Sequence, residues 1–213
     1  MPVHAPRCAR WPALTAPARG TATCGTTVSV IVSHIAAVSR ALERISPVAV
    51  NAVVDAVLRT HSARGHVYVL GNGGSAATAS HLACDLAKST VAPGRPRLRV
   101  TALTDSAALL TAWANDTSYD QVFAEPLRGL LDGEDLVVAI SASGNSPNVL
   151  EAVRVARSLG AFTVGMTGSP GGRLVEAVDL ALLAASSDYG VIEDCHLVVQ
   201  HAITAATRAA LHA

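Results

Sequence analysis

The chain has 213 residues, enough to bury one substantial core and short for two ordinary domains. Its 16 Lys and Arg balance 16 Asp and Glu, and it holds only two Phe, two Trp and three Tyr; composition therefore gives neither the basic face nor the stacking platforms of a nucleic-acid binder, and no anionic membrane surface is expected as a partner. No run approaches the roughly 20 uninterrupted apolar residues of a spanning helix, and Cys8, Cys24, Cys84 and Cys195 are scattered without CxxC spacing, which suggests neither a zinc knuckle nor a redox pair and suits a reducing cytoplasm.

The first 27 residues are rich in Ala, Pro, Thr and Arg, with no acidic residue before Glu43. That composition is transit-peptide-like, but Pro2, Pro6, Pro12 and Pro17 oppose an amphipathic helix. Residues 1–27 are expected to be a disordered tail or an upstream start that is not the native one, and residues 28–213 a single domain. From Val28 the apolar residues Ile31, Val32, Ile35, Val38 and Leu42 recur at helical spacing. After Ser46-Pro47 the pattern resumes with Val50, Val53, Val54, Val57 and Leu58, so two antiparallel helices are expected to open the domain.

Five short apolar runs follow, at residues 66–70, 98–103, 136–140, 162–166 and 180–183. Strands buried on both faces read as continuous apolar runs, and helical patterns at about 76–88, 106–114, 119–131, 147–159, 171–177 and 190–210 imply right-handed crossovers. The expectation is an α/β fold, with a doubly wound five-stranded parallel sheet flanked by helices. Ligands of such sheets collect beyond the carboxyl ends of the strands.

Two loops there depart from ordinary turns. Gly71-Asn72-Gly73-Gly74-Ser75 leads into a helix; its glycines allow close backbone approach to an anion at a helix N-terminus, or simply make a tight turn. Ser141-Ala142-Ser143-Gly144-Asn145-Ser146-Pro147 brings three hydroxyls to another helix start. Hydroxyls and amides can hold a phosphate reversibly without basic side chains, whereas Ser146 with Pro147 also reads as a plain N-cap.

His81 and Asp85, four apart on the helix after the glycine loop, project from one face. They can share a divalent metal or form a simple surface pair. The final helix adds Glu193, His196 and His201, of which His196 reads as structural. Eight residues of helix rise about 12 Å, too far for Glu193 and His201 to reach one ion easily. Either Glu193 precedes the regular helix or neighbouring subunits share the site.

GNGGS after the first strand and S-x-S-G-N-S after the third, together with Asn115-Asp116 and the His-bearing last helix, resemble the sugar isomerase (SIS) domain, and within it the phosphoheptose isomerases. The resemblance runs from about Val28 to the C-terminus. It implies a flavodoxin-like fold opened by a helical hairpin, and aldose–ketose isomerisation of sedoheptulose 7-phosphate to D-glycero-D-manno-heptose 7-phosphate through a cis-enediol. It places the phosphate on Ser141, Ser143, Ser146 and the Ala142 backbone, with Asn72, Gly73, Gly74, Ser75, Asn115, Asp116 and Glu193 along the substrate. It also implies one zinc ion per subunit on His81, Asp85, Glu193 and His201, with Asp85 as base and His201 as acid, in a homotetramer whose active sites lie at subunit contacts.

The chain departs from the family pattern at three places. Asp85 stands where the family has Glu, Glu193 where it has Gln, and Gly190-Val191 where it has Asp-Arg, leaving Asp194 as a nearby acidic candidate. Two carboxylates would make the metal a weaker Lewis acid, and a carboxylate bound to zinc competes with its own use as a base. These departures leave open a noncatalytic alternative, since relatives of this fold sense sugar phosphates or bind partner proteins such as a replication-initiation factor.

Overall fold

The computed structural model describes residues 22–213. Helix α1 (Ala22–Leu42) is followed by α2 (Pro47–Ser62), β1 (His66–Gly71), α3 (Gly74–Ser89), β2 (Arg99–Ala102), α4 (Ala107–Asp116), α5 (Ala124–Leu130), β3 (Leu136–Ile140), α6 (Pro147–Ser158), β4 (Phe162–Gly168), α7 (Leu174–Ala177), β5 (Leu180–Ala184) and α8 (Tyr189–His212). The five strands form one sheet in the order β2-β1-β3-β4-β5, and every neighbouring pair is parallel, as the apolar runs predict.

Alternation along each strand sorts the core into two layers. Val67, Val69, Leu136, Val138 and Ile140 face α2, α3 and α8, where Val53, Leu82, Leu86 and Ile203 complete the packing. Tyr68, Leu70, Val137 and Ala139 face the other way, onto Phe123, Leu127, Val149 and Val153. Thus α3, which follows β1, and α6, which follows β3, leave the sheet on opposite faces. The crevice between β1 and β3 is the switch point where ligands bind in open α/β sheets.

Several boundaries differ from the sequence expectation. Helix α1 begins at Ala22, inside the segment expected to be a tail; the rest of that tail lies outside the described residues. In place of a tight hairpin, α1 and α2 make their main contacts with α8. The helix expected over 119–131 is interrupted, with a 3-10 turn at Tyr119–Gln121 before α5. Pro126 has no N–H and is tolerated only in a first helical turn, so the helix must restart just before it. The helix expected over 171–177 is confined to Leu174–Ala177, because Gly171 and Gly172 take φ of 103° and 57°, outside the right-handed region.

Among the described residues one stretch, Gly25–Leu42 of α1, is by length and composition apolar enough to cross a membrane, contrary to the expectation that no run comes near. The stretch nonetheless carries Ser29, Ser33, His34, Ser39 and Arg40. Its C-terminal half packs through Ala37, Val38, Ala41 and Leu42 in a cluster with Val191, Ile192 and Cys195 of α8.

Candidate active site

The glycine and serine loops leave adjacent strands. Gly71 lies opposite Ile140 in the β1–β3 register, and a Cβ on Gly71 would stand 2.8 Å from the Ile140 carbonyl oxygen, so only glycine fits. Gly73 turns the chain at φ 54° into α3. The loops are tied by a reciprocal amide pair. Asn72 Nδ2 donates to Asn148 Oδ1 and Asn148 Nδ2 to Asn72 Oδ1, each at 2.9 Å, while the Tyr119 hydroxyl donates to Asn72 Oδ1 at 3.1 Å.

The serine loop is held from behind. Ser141 N–H donates to the Met166 carbonyl, Gly168 N–H to that of Ala142 and Leu174 N–H to that of Gly144. Gly144 takes φ 65°, and any Cβ there would collide with the Gly171 carbonyl. In front, Ser141 Oγ lies 3.0 Å from Ser146 Oγ and 3.5 Å from Ser143 Oγ. The plain N-cap reading of Ser146 is not realised, because its hydroxyl makes no capping bond. Asn148 Oδ1 takes the Val149 N–H instead, at 3.0 Å. The N–H groups of Ala142 and Ser143 meet no protein acceptor among the described residues. Three hydroxyls and these amides therefore face one small volume at the start of α6, where the helix dipole favours an anion.

The second half of the site lies on α3 and α8, which run alongside each other. His81 Nε2 and His201 Nε2 are 3.3 Å apart, with Asp85 Oδ2 at 3.5 Å from the first and 3.7 Å from the second. The His81–Asp85 separation is longer than a good N–H···O hydrogen bond, so the simple surface-pair reading explains it poorly. A tetrahedral ion with bonds of about 2.0–2.1 Å places its ligand atoms about 3.3–3.4 Å apart. The three donors match that spacing and are a chemically suitable His, His, carboxylate set. Both histidines are exposed and Asp85 is half-buried, leaving the cluster open toward a ligand.

Glu193 is not part of this cluster. It sits inside the regular α8, on its first turns, about 12 Å of helical rise before His201. Its carboxylate occupies the space a Cβ on Gly74 would need, over the N-terminus of α3. Asn115 and Asp116 end α4 as an exposed pair, with Asn115 Nδ2 donating to Asp116 Oδ1 at 2.8 Å; their neighbour Tyr119, which sequence reasoning missed along with Asn148, is the residue that reaches Asn72. Ser75 is buried in the first turn of α3. Asp194 does not replace the missing acid, because its Oδ2 lies 2.8 Å from His34 Nε2 of α1. His196 is 2% exposed and lies outside the site; burial holds its imidazole down to about 4, and neither ring nitrogen has a hydrogen-bond partner among the described residues.

A cavity of about 410 Å³ at the opposite, amino end of the strands is lined by Arg59, Asp135, Arg157 and Asp179. Its two arginines are already engaged, Arg157 3.6 Å from Asp179 and Arg59 over the Phe162 ring. It offers no comparable set of unpaired donors.

A parallel α/β sheet with hydroxyl and amide donors at its switch point defines a sugar-phosphate-binding domain, and residues 32–168 match the SIS domain family. Phosphoheptose isomerases of Mycobacterium bovis and Mycobacterium tuberculosis are 41% identical over 192 residues, covering 90% of this chain and 97% of theirs. The phosphoheptose isomerase structure from Neisseria gonorrhoeae superposes with a TM-score of 0.80 at 29% identity, over 88% of this chain and 99% of that one. That from Francisella tularensis gives 0.81 at 28%, over 89% and 100%. The chain belongs to the phosphoheptose isomerase family of SIS-domain proteins.

Proposed function

We infer that this chain is an aldose–ketose isomerase that converts sedoheptulose 7-phosphate to D-glycero-D-manno-heptose 7-phosphate. The observation that carries the reading is the pairing of two different sites across one crevice. An anion cradle is formed by Ser141, Ser143, Ser146 and the Ala142 backbone, and an open His81–Asp85–His201 cluster lies further along α3. Seven residues separate Gly74 from His81, about 10 Å of helix, a span suited to a seven-carbon chain with phosphate at one end and carbonyl at the other.

The cradle fixes the phosphate and so the register of the sugar. Asn72, held by Asn148 and Tyr119, and the backbone of Gly73, Gly74 and Ser75 border the chain's path, with Asn115 and Asp116 on its outer side. His81, Asp85 and His201 would hold one zinc ion per subunit, which when bound supplies Lewis-acid stabilisation of the enediolate oxygens. Asp85 and His201, which supply ligand atoms of that cluster, are also the proposed base and acid of the proton transfers, so ligation and proton transfer compete for the same groups.

The active unit is proposed to be a cytoplasmic homotetramer with its sites at subunit contacts. Val28, Ile31, Val32 and Ile35 on α1 are each 54–60% exposed, a helix face suited to burial against another copy, and Cys84 and Cys195 are free thiols. The test is incubation with zinc and sedoheptulose 7-phosphate in deuterium oxide, followed by nuclear magnetic resonance. Deuterium entering beside the carbonyl, with aldose accumulating, is the expected result. Sugar-phosphate binding with neither exchange nor product would contradict it and favour a noncatalytic sensor.

A further inference from the structure

On the reading of the crevice as a sugar-phosphate site, we propose that Tyr119 and Asn72 together read a single hydroxyl of the sugar near its phosphorylated end. The Tyr119 oxygen is the acceptor and the Asn72 amide the donor.

A chain of hydrogen bonds fixes both groups. The Val149 N–H donates to the Asn148 amide at 3.0 Å, so the atom facing it is the oxygen, Oδ1. Asn148 Oδ1 is also met by Asn72 at 2.9 Å, so the Asn72 atom there must be its nitrogen. Asn72 Oδ1 then faces Asn148 Nδ2, again at 2.9 Å. The Tyr119 hydroxyl, 3.1 Å from that same Asn72 oxygen, has to donate to it. An amide oxygen offers two lone pairs and an amide nitrogen two hydrogens. Asn72 Oδ1 is therefore saturated, and Asn72 keeps one N–H that meets no protein acceptor among the described residues. Tyr119 has spent its only hydrogen, so toward a ligand its oxygen can only accept.

A donor beside an acceptor is complementary to a hydroxyl, which gives one hydrogen and takes another. The pair does not suit a phosphate oxygen, because the Tyr119 lone pairs would face negative charge. It is open to a ligand: Tyr119 is 59% exposed and Asn72 half-buried, whereas Asn148 behind them is 1% exposed. Asn148 follows Ser146 by two residues at the start of α6, which puts the pair beside the phosphate cradle and away from the metal cluster. The hydroxyl it reads therefore lies toward the phosphorylated end of the sugar. Tyr119 acts there twice, by touching the hydroxyl and by holding the Asn72 amide in the orientation that donates.

Tyr119→Phe removes the hydroxyl and keeps the exposed ring, so the fold is retained. Calorimetric titration should find sedoheptulose 7-phosphate bound about 3- to 10-fold more weakly, the worth of one hydrogen bond. Inorganic phosphate affinity should stay at the wild-type value, as should the deuterium-exchange rate at saturating sugar, the pattern of lost uniform binding. Sedoheptulose 7-phosphate analogues lacking the C4, C5 or C6 hydroxyl supply the second measurement. One of them should bind the wild-type protein more weakly by the same factor, yet bind the variant no worse than the parent sugar does, the non-additivity of two partners in one contact. Wild-type sugar-phosphate affinity in the variant, an equal loss of inorganic phosphate affinity, or additive losses with every analogue would overturn the assignment. Wild-type protein that binds the sugar phosphate without deuterium exchange would overturn the isomerase reading and leave this assignment standing, because hydroxyl recognition is read through binding alone.

Discussion

Two helices of this protein begin with the same dipeptide, Ser46-Pro47 at α2 and Ser146-Pro147 at α6, and the two serines share nearly the same backbone, φ −72°, ψ 117° against φ −62°, ψ 118°. Their hydroxyls are used differently. Ser46 Oγ accepts the Ala49 N–H at 3.3 Å, an ordinary cap. Ser146 Oγ turns instead to Ser141 Oγ, and Asn148 takes over the N–H it leaves. A hydroxyl withheld from its own backbone remains available to a ligand. The comparison therefore separates a serine that stabilises the fold from one that serves the site, although local sequence and local conformation are alike.

The severest way to break the contrast is to remove the loop that aims Ser146 and Ser143. Gly144→Ala forces a Cβ into the Gly171 carbonyl at a positive φ, so calorimetric titration should find sugar-phosphate binding abolished and denaturant unfolding a loss of several kcal/mol. A group of purely structural use, like the exposed Ser46, should show in stability alone, and the buried His196 provides a second such control. Its imidazole is held near 4 when folded, against 6.5 ordinarily, so between these values the unfolded chain binds a proton that the native one does not. Stability should be full above about pH 6.5 and fall toward pH 4 by on the order of a few kcal/mol. His196→Gln should flatten that part of the curve in pH-dependent unfolding, without changing affinity at pH 7.5.

Ser146→Ala should weaken phosphate binding about 10- to 100-fold, as expected for a hydrogen bond to a charged group of about 1.5–3 kcal/mol, while moving unfolding free energy by less than about 0.5 kcal/mol. Ser46→Ala should do the reverse, costing about 1 kcal/mol of stability with affinity unaltered. Equal effects of the two substitutions on both measurements would erase the distinction.

Much of the architecture could be read from the chain because burial on both faces leaves uninterrupted apolar runs, as at Leu136–Ile140, with glycine or serine loops directly after them. The two loops and the His81–Asp85 spacing were legible for the same reason, since each is set by neighbours in sequence. Tyr119 and Asn148 were not, because their roles depend on meeting Asn72 from 47 and 76 residues away. Glu193 was placed on the metal by family pattern, although the helical rise to His201 already argued against it; only the packing of α8 along α3 shows the carboxylate over Gly74. The break before α5 was signalled by Pro126 and lost in the apolar periodicity on either side.

The most direct test is a crystal structure of the protein with zinc and sedoheptulose 7-phosphate. The phosphorus should lie among Ser141, Ser143 and Ser146 at the start of α6, with the ion on His81, Asp85 and His201 and the carbonyl end of the sugar toward it. Phosphate seated elsewhere, for example beside Arg157 and Arg173, with the serine hydroxyls still bonded only to one another, would contradict the account.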